Sequence, residues 1–455
     1  MSSLTHSAQD YWRTRTTFVL ALSASAVGLG NLWRFSYLTG EYGGAPFVIS
    51  YVVCLFAVAV PVLVAEVLLG RHGQGDPLSS LRKAADRSLR SRAWVGLGVF
   101  VCLTGLLLLS LYCVVAGWAL AYTGFMQAGV FSAASLAEVG QHFDYFLANG
   151  TTQVYWQSVF LILTAAVVVL GVRRGLGLLV WIAVPLLIAM LGYLVRFGMD
   201  YGDLTATREF LFRTRLVDFN AQAVLVALGH AFYTLGVGVG TGICYGAYAH
   251  RRVPIGRSVM AVAVFDLVIA VMAGLAIFPI VFANNMEPAS GPGLLFVSLP
   301  YAFGNIGQGE LFGAVFFMLV ALAALGSAVA ILEPAVAALK HAARLERLTA
   351  VVMVGALVWL LSLAVVSSLQ ADLGPKWFGG YNLFSEIDRL LTRVLLPVAA
   401  LLTAIFVGWQ MRRQIQRAEL DRESAWFFRY WRLFLRYIAP PAIVLLLLAP
   451  LLTSG

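Results

Sequence analysis

The stretch Ser23-Ala24-Ser25-Ala26-Val27-Gly28-Leu29-Gly30-Asn31-Leu32-Trp33-Arg34-Phe35 decides the fold. It lies in an apolar segment long enough to cross a bilayer, yet it carries two glycines, an asparagine and an arginine near mid-membrane depth. Glycine inside a helix costs roughly 1 kcal/mol against alanine. An unpaired polar group in hydrocarbon costs several times that. Irregular backbone survives at such depth only where it is buried in protein or lines a cavity. The stretch therefore predicts a broken helix, with one half before Ala26, a short unwound piece, and a second half from about Asn31. Unwound carbonyls offer a cation site, and a half-helix N-terminus favours an anion.

A second stretch, Tyr233-Thr234-Leu235-Gly236-Val237-Gly238-Val239-Gly240-Thr241-Gly242, interrupts another apolar span. Paired glycine-interrupted spans point to a transporter binding site, although glycines also serve tight helix packing. Asn31, Thr234 and Asp266 shift the reading toward a site, because polar groups inside a membrane span are expensive and functional. Asp266 stands among Val264, Phe265, Leu267 and Val268. A buried carboxylate is paired, holds a metal, or is protonated.

The rest of the chain sets the frame. Its 455 residues are 60% hydrophobic and 12% charged, with mean hydropathy +0.85. No soluble domain could solvate so much apolar surface. The apolar runs do not alternate residue by residue, which excludes a β-barrel reading. They predict spans at about Thr16–Leu38, Pro46–Leu69, Val95–Met126 and Val154–Val172, with a fifth ending near Phe197. The remainder follow at Ala221–Tyr248, Ser258–Phe282, Glu310–Ala338, Leu348–Leu369, Leu383–Trp409 and Tyr437–Leu452.

A net charge of +9 would suit nucleic acid. The basic residues instead collect in alternate loops, which is the positive-inside pattern of a membrane protein. No nucleic-acid partner is expected. The N-terminus is placed in the cytoplasm and the C-terminus, after eleven spans, outside. The first apolar run is long and follows a polar leader, unlike a signal peptide. Cys54, Cys102, Cys113 and Cys244 all fall in predicted spans, so they read as small packing residues rather than a disulfide framework. There is no phosphate loop, no Cys/His metal cluster and no nucleophile elbow, so an enzyme is not expected.

Three motifs carry a resemblance. Ala26-Val27-Gly28-Leu29-Gly30-Asn31-Leu32-Trp33-Arg34-Phe35 resembles the first-helix signature of the neurotransmitter:sodium symporters. Glu66-Val67-Leu68-Leu69-Gly70-Arg71 resembles the end of their second helix. Ser290-Gly291-Pro292-Gly293-Leu294-Leu295-Phe296-Val297 and Pro300 resemble their fourth extracellular loop. The motifs run in family order over nearly the whole chain. The resemblance implies an all-α polytopic protein of the bacterial LeuT-like kind, with broken helices 1 and 6 and eleven transmembrane helices. It implies one transmembrane domain over 1–455, built as inverted halves 1–198 and 221–409. Residues 410–455 add an amphipathic cytoplasmic segment and helix 11.

The resemblance also implies a site. A first sodium ion would take the Ala26 carbonyl, the Asn31 side chain, the Thr234 carbonyl and hydroxyl, Asp266 and the substrate carboxylate. Relatives usually carry asparagine where Asp266 stands, and chloride-dependent relatives use a bound chloride for the charge. Asp266 therefore predicts chloride independence. A second, weaker sodium position would use the carbonyls of Ala24, Val27 and Ala323 with Ser327. Gly326 stands where the family offers another side-chain ligand, so one or two ions are expected. Gly28 leaves room for a substrate carboxylate, which the amides of Leu29 and Gly30 and the Tyr112 hydroxyl would meet. The carbonyls of Ala26, Tyr233 and Thr234 would meet the ammonium. Ser25, Leu108, Tyr233, Gly236, Val239, Ser327 and Ile331 would wall the pocket. No wall residue is charged, which predicts an apolar or aromatic side chain.

Arg34 and Asp388 would close an outer gate through water, with Tyr233 as the lid beneath. Gln9 and His341 stand where the family pairs an inner arginine with an acid, so that bridge would be absent or rebuilt by Arg13 or Arg15. Glu66 and Glu333 read as structural hydrogen-bond partners. The expected function is sodium-coupled import of a neutral L-amino acid across the inner (plasma) membrane, by a monomer or weak homo-oligomer. The alternatives are a sodium- or proton-coupled porter of a GABA- or betaine-like osmolyte, and a binding-only amino-acid receptor.

Overall fold

A computed structural model describes residues 12, 14–213, 220–286, 293–370 and 383–453. Gln9, Arg13 and the Ser290–Pro292 part of the loop motif lie outside the described residues. Among the described residues nine helices are long and apolar enough to cross a membrane, and a bent pair makes a tenth span. That pair is α1, Arg15–Ala26 and Gly30–Glu41, bent by 47°. The continuous spans are α2 (Ala45–Gly73), α3 (Arg92–Gln127), α4 (Gly150–Val169) and α5 (Arg174–Tyr201). They continue as α7 (Ile255–Ala283), α8 (Gly309–Ala343), α9 (Arg347–Leu369), α10 (Leu383–Gln410) and α11 (Ala425–Ala449). The eleventh element, α6, is split into Ala221–Leu235 and Thr241–Ala247.

Both breaks fall where the glycines predict them. Val27 leaves the helix with extended backbone, and the chain re-enters through a wide turn over Gly30–Arg34. In α6, Gly236 and Gly240 take φ of 63° and 80°. An L-side chain is strained in that left-handed region, so glycine is the residue that allows the interruption.

The core is laid around α3 and α8, which pack along their lengths, with α1 against α7, α8 and α5. The short half of α6 lies on α2. A Cβ at Gly70 would stand 1.7 Å from the Ile243 carbonyl, so small residues set this close approach. Glu66 reaches across the same seam, and its Oε1 accepts the Gly238 amide at 2.8 Å.

One boundary departs from the sequence reading. The last helix does not begin near Tyr437 but runs from Ala425. Arg429, Arg432 and Arg436 fall in the expected cytoplasmic segment, yet they belong to the last helix, where their spacing of three and four puts them on one face. Long arginine side chains can carry their charge from a helix to the membrane surface.

Candidate functional site

The breaks of α1 and α6 meet beside the middle of α7. A Cβ at Gly30 would come within 3.3 Å of Thr234, so the helices touch there. Asp266, fully buried, faces this junction. Its Oδ1 accepts Asn31 Nδ2 at 2.8 Å and Thr234 Oγ1 at 2.9 Å. Its Oδ2 accepts the Tyr51 hydroxyl at 2.5 Å. Asn31 Oδ1 in turn accepts the Gly28 amide at 3.2 Å and Thr234 Oγ1 at 3.4 Å.

Asp266 forms no ion pair among the described residues, although burying a carboxylate costs several kcal/mol. Hydrogen bonds to a charged group return about 1.5–3 kcal/mol each, so its three donors offset much of that cost. The formal charge stays uncompensated. Oxygen donors from amide, hydroxyl and carboxylate suit a hard monovalent cation, whereas no group of three or more His, Cys, Asp or Glu gathers among the described residues.

The structure brings Asn31, Thr234 and Asp266 together, with the chain of Ala26 entering the same break. Tyr51 was missed. It sits in the apolar run of α2, and nothing local in that run marks its hydroxyl as directed at a residue 215 positions away.

Ser327 Oγ lies 3.2 Å from the Val27 carbonyl and 3.4 Å from that of Ala24. Ala323 is buried one turn earlier on α8. Gly326 contributes no side chain, and a Cβ there would stand 2.9 Å from the Ala24 carbonyl.

The predicted pocket residues are buried together between α1, α3, α6 and α8: Ser25, Leu108, Tyr112, Tyr233, Val239 and Ile331. The rings of Tyr112 and Tyr233 are 6.1 Å apart. A Cβ at Gly28 would lie 2.4 Å from Ser327 Oγ and 3.2 Å from the Tyr112 hydroxyl. In this state the Ser327 hydroxyl fills the space beside Gly28. The Ser25 hydroxyl donates to the Leu22 carbonyl of its own helix at 2.8 Å.

Outside the breaks, Arg34 binds Asp388 directly rather than through water. Its guanidinium lies 5.0 Å from the Tyr233 ring centre, so the cation is stacked on that ring. A cavity of about 370 Å³ opens above the pair, lined by Arg34, Tyr37, Glu41, Tyr42 and Asp388 among others.

The opposite end is closed differently. Trp12 Nε1 donates to the Tyr245 carbonyl at 3.0 Å, and its amide to the Tyr248 carbonyl at 3.0 Å. Glu333 takes both guanidinium nitrogens of Arg347, at 3.1 and 2.5 Å, and the Tyr248 hydroxyl at 3.0 Å. His341 Nδ1 is 3.9 Å from Asp76 Oδ2. Arg15 is exposed and forms no ion pair among the described residues. The Glu333–Arg347 pair was not foreseen, because Arg347 reads as a loop cation in the sequence.

Comparison with known proteins agrees with this geometry. The Sodium:neurotransmitter symporter family profile matches residues 9–132 and 146–454. The uncharacterized sodium-dependent transporter YhdH of Bacillus subtilis is 32% identical, over 96% of each chain. An uncharacterized sodium-dependent transporter of Haemophilus influenzae is 26% identical, over 97% of this chain and 98% of its own. The crystal structure of MhsT in complex with L-phenylalanine superposes with a TM-score of 0.89, at 35% identity, covering 97% of this chain and 99% of that one.

The chain belongs to the sodium:neurotransmitter symporter family. It is a multi-pass, LeuT-fold, sodium-dependent secondary transporter of a small molecule, and not an enzyme.

Proposed function

We propose that this transporter couples sodium to the import of a large neutral L-amino acid, apolar or aromatic, without chloride. The observation that carries the reading is Asp266. It supplies a permanent carboxylate 2.8 Å from Asn31 and 2.9 Å from Thr234, at the crossing of both helix breaks. A sodium ion there would draw on Asp266, the Asn31 and Thr234 oxygens and the Ala26 carbonyl. The Thr234 hydroxyl, now donating to Asp266, would rotate to present a lone pair. The substrate carboxylate would join the same ion and meet Tyr112, with the Leu29 and Gly30 amides behind it. Ion and substrate then share a ligand, and that sharing is the coupling.

The second ion position, with the carbonyls of Ala24, Val27 and Ala323 and only Ser327 as side chain, is the weaker one. The wall of Leu108, Tyr233, Gly236, Val239 and Ile331 carries no charge, which supports an apolar or aromatic substrate side chain. L-Phenylalanine bound to the solved relative supports the same class. Arg34 and Asp388 act as the outer gate over Tyr233. The alternation of basic loops supports a cytoplasmic N-terminus in a bacterial inner membrane, with 1–198 and 221–409 as the inverted halves.

The test is thermal stability against a panel of amino acids in sodium, in potassium, and with gluconate replacing chloride. A ligand at 100 times its Kd adds about 2.7 kcal/mol of stability. The reading requires stabilisation by one apolar or aromatic amino acid, in sodium only, and unchanged in gluconate. Equal stabilisation in potassium removes sodium coupling, and its collapse in gluconate removes the role of Asp266. Proton coupling has one handle. Glu66 Oε2 is buried without a hydrogen-bond partner among the described residues. Uptake driven by acid pH without sodium would favour it.

A further inference from the structure

Beyond α10 the chain folds back onto the face that carries the basic loops. Arg90 Nε donates to the Gln410 carbonyl at 3.2 Å, and the Arg412 amide to Ser88 Oγ at 3.4 Å. Residues 411–437 hold three carboxylates, and each is engaged. Glu419 meets Arg71 at 3.0 Å and His72 at 3.2 Å. Glu423 lies 3.5 Å from Arg257, and Asp421 lies 3.9 Å from Arg422. Burial pushes the Glu419 carboxyl up, but His72 and Arg71 hold it below the usual carboxylate range.

What remains is a cavity of about 390 Å³ lined by Arg413, Arg417, Arg429, Arg432 and Arg436, with no carboxylate in its wall. None of the five joins an ion pair among the described residues. Several are held in place by rings. The Arg436 guanidinium is 5.5 Å from the centres of both Trp409 and Tyr437. Those of Arg413 and Arg417 are 6.0 and 5.4 Å from Phe428. The Nε atoms of Arg432 and Arg436 are buried without a hydrogen-bond partner among the described residues.

A buried donor left without an acceptor costs about 1–3 kcal/mol, and like charges gathered in one cavity repel. An acceptor from outside the chain removes both penalties. Exposed Tyr437 lines the cavity and exposed Trp409 lies against its Arg436, and with exposed Trp426 and Tyr430 on the same helix as Tyr437 they make the aromatic pattern of a membrane–water interface. Leu433, Val444 and Leu445 run exposed from it along α11.

We propose that this arginine cavity binds the phosphate of an anionic phospholipid headgroup, with the acyl chains lying along the exposed apolar face of α11. Planar guanidinium forks match phosphate oxygens bidentately. Basic pockets of this kind at the cytoplasmic side suit anionic headgroups. The continuous apolar track distinguishes a lipid from a free phosphate ion.

The test is native mass spectrometry of the purified full-length protein, titrated with phosphatidylglycerol, with phosphatidylcholine, and with inorganic phosphate as competitor. Phosphatidylglycerol should be retained at least tenfold more tightly than phosphatidylcholine. The pair Arg432→Gln and Arg436→Gln should weaken it roughly thirtyfold, at about fivefold per arginine. Arg82→Gln with Arg87→Gln, the same charge loss elsewhere on that face, should leave it unchanged. If the first pair does not fold, Arg413→Gln with Arg429→Gln at the exposed rim reads the same effect. Equal retention of both lipids, or full retention by a folded double variant, overturns the proposal. Displacement by millimolar phosphate overturns the lipid in favour of a free anion.

Discussion

The two proposed ion positions flank the same break in α1, and they are built unequally. At the first, Asp266 from α7, Asn31 from α1 and Thr234 from α6 hold one another at 2.8 and 2.9 Å, and Tyr51 braces the carboxylate from α2. At the second, Ser327 alone reaches from α8 toward two carbonyls, at 3.2 and 3.4 Å, and Gly326 adds nothing. Four helices converge on one position and two on the other. An ion at the first would tie both broken helices to α7 and to the substrate. An ion at the second would only bridge α1 and α8. Coupling strength should follow that asymmetry.

The largest break in the comparison is Asp266→Asn. Two unit charges 4 Å apart at an effective dielectric near 20 attract by about 4 kcal/mol, close to a thousandfold. Sodium-dependent substrate binding, read by isothermal titration, should fall by up to that factor in gluconate and recover in part in chloride. Unchanged binding would place the ion elsewhere.

Tyr51→Phe removes one charge-assisted hydrogen bond, about 1.5–3 kcal/mol or roughly 10- to 150-fold. Apparent sodium affinity should weaken by that amount, and substrate affinity should follow because the ion sits between them. Ser327→Ala should weaken the sodium activation of uptake by about fivefold or less, the value of one ordinary hydrogen bond near 1 kcal/mol. A loss as large as that of Asp266→Asn would make the positions equal.

Gly326→Ser is the sharpest test, because it changes the number of ions rather than the affinity for one. It restores a ligand but sets a Cβ 2.9 Å from the Ala24 carbonyl. Overpacking of this kind costs about 1–3 kcal/mol. The Hill coefficient for sodium should rise toward two while the melting temperature falls.

The same asymmetry explains what the sequence reveals. Asn31, Thr234 and Asp266 are legible because each is a polar residue in an apolar run, and their expense marks them without a structure. The breaks are legible because Gly28, Gly30, Gly236 and Gly240 interrupt long spans. Tyr51 is not legible, because tyrosine is common in membrane helices and its value here lies in a partner far along the chain. Arg347 reads as a loop cation, and the arginines of α11 as part of a cytoplasmic segment ahead of the last helix, for a related reason. Charge density argues for water, and only the fold shows that Arg347 grips Glu333 and that Arg429, Arg432 and Arg436 share a helical face. The direct Arg34–Asp388 contact differs from the expected water bridge because the two side chains meet over the Tyr233 ring with no space between them.

Trp12 ties the end of the bundle opposite the Arg34–Asp388 pair to two main-chain carbonyls near the end of α6, from a position ahead of the first membrane helix. The latch therefore belongs to the leader rather than to the bundle. Bulk fused ahead of Trp12 would strain those two hydrogen bonds without altering one residue of the membrane helices.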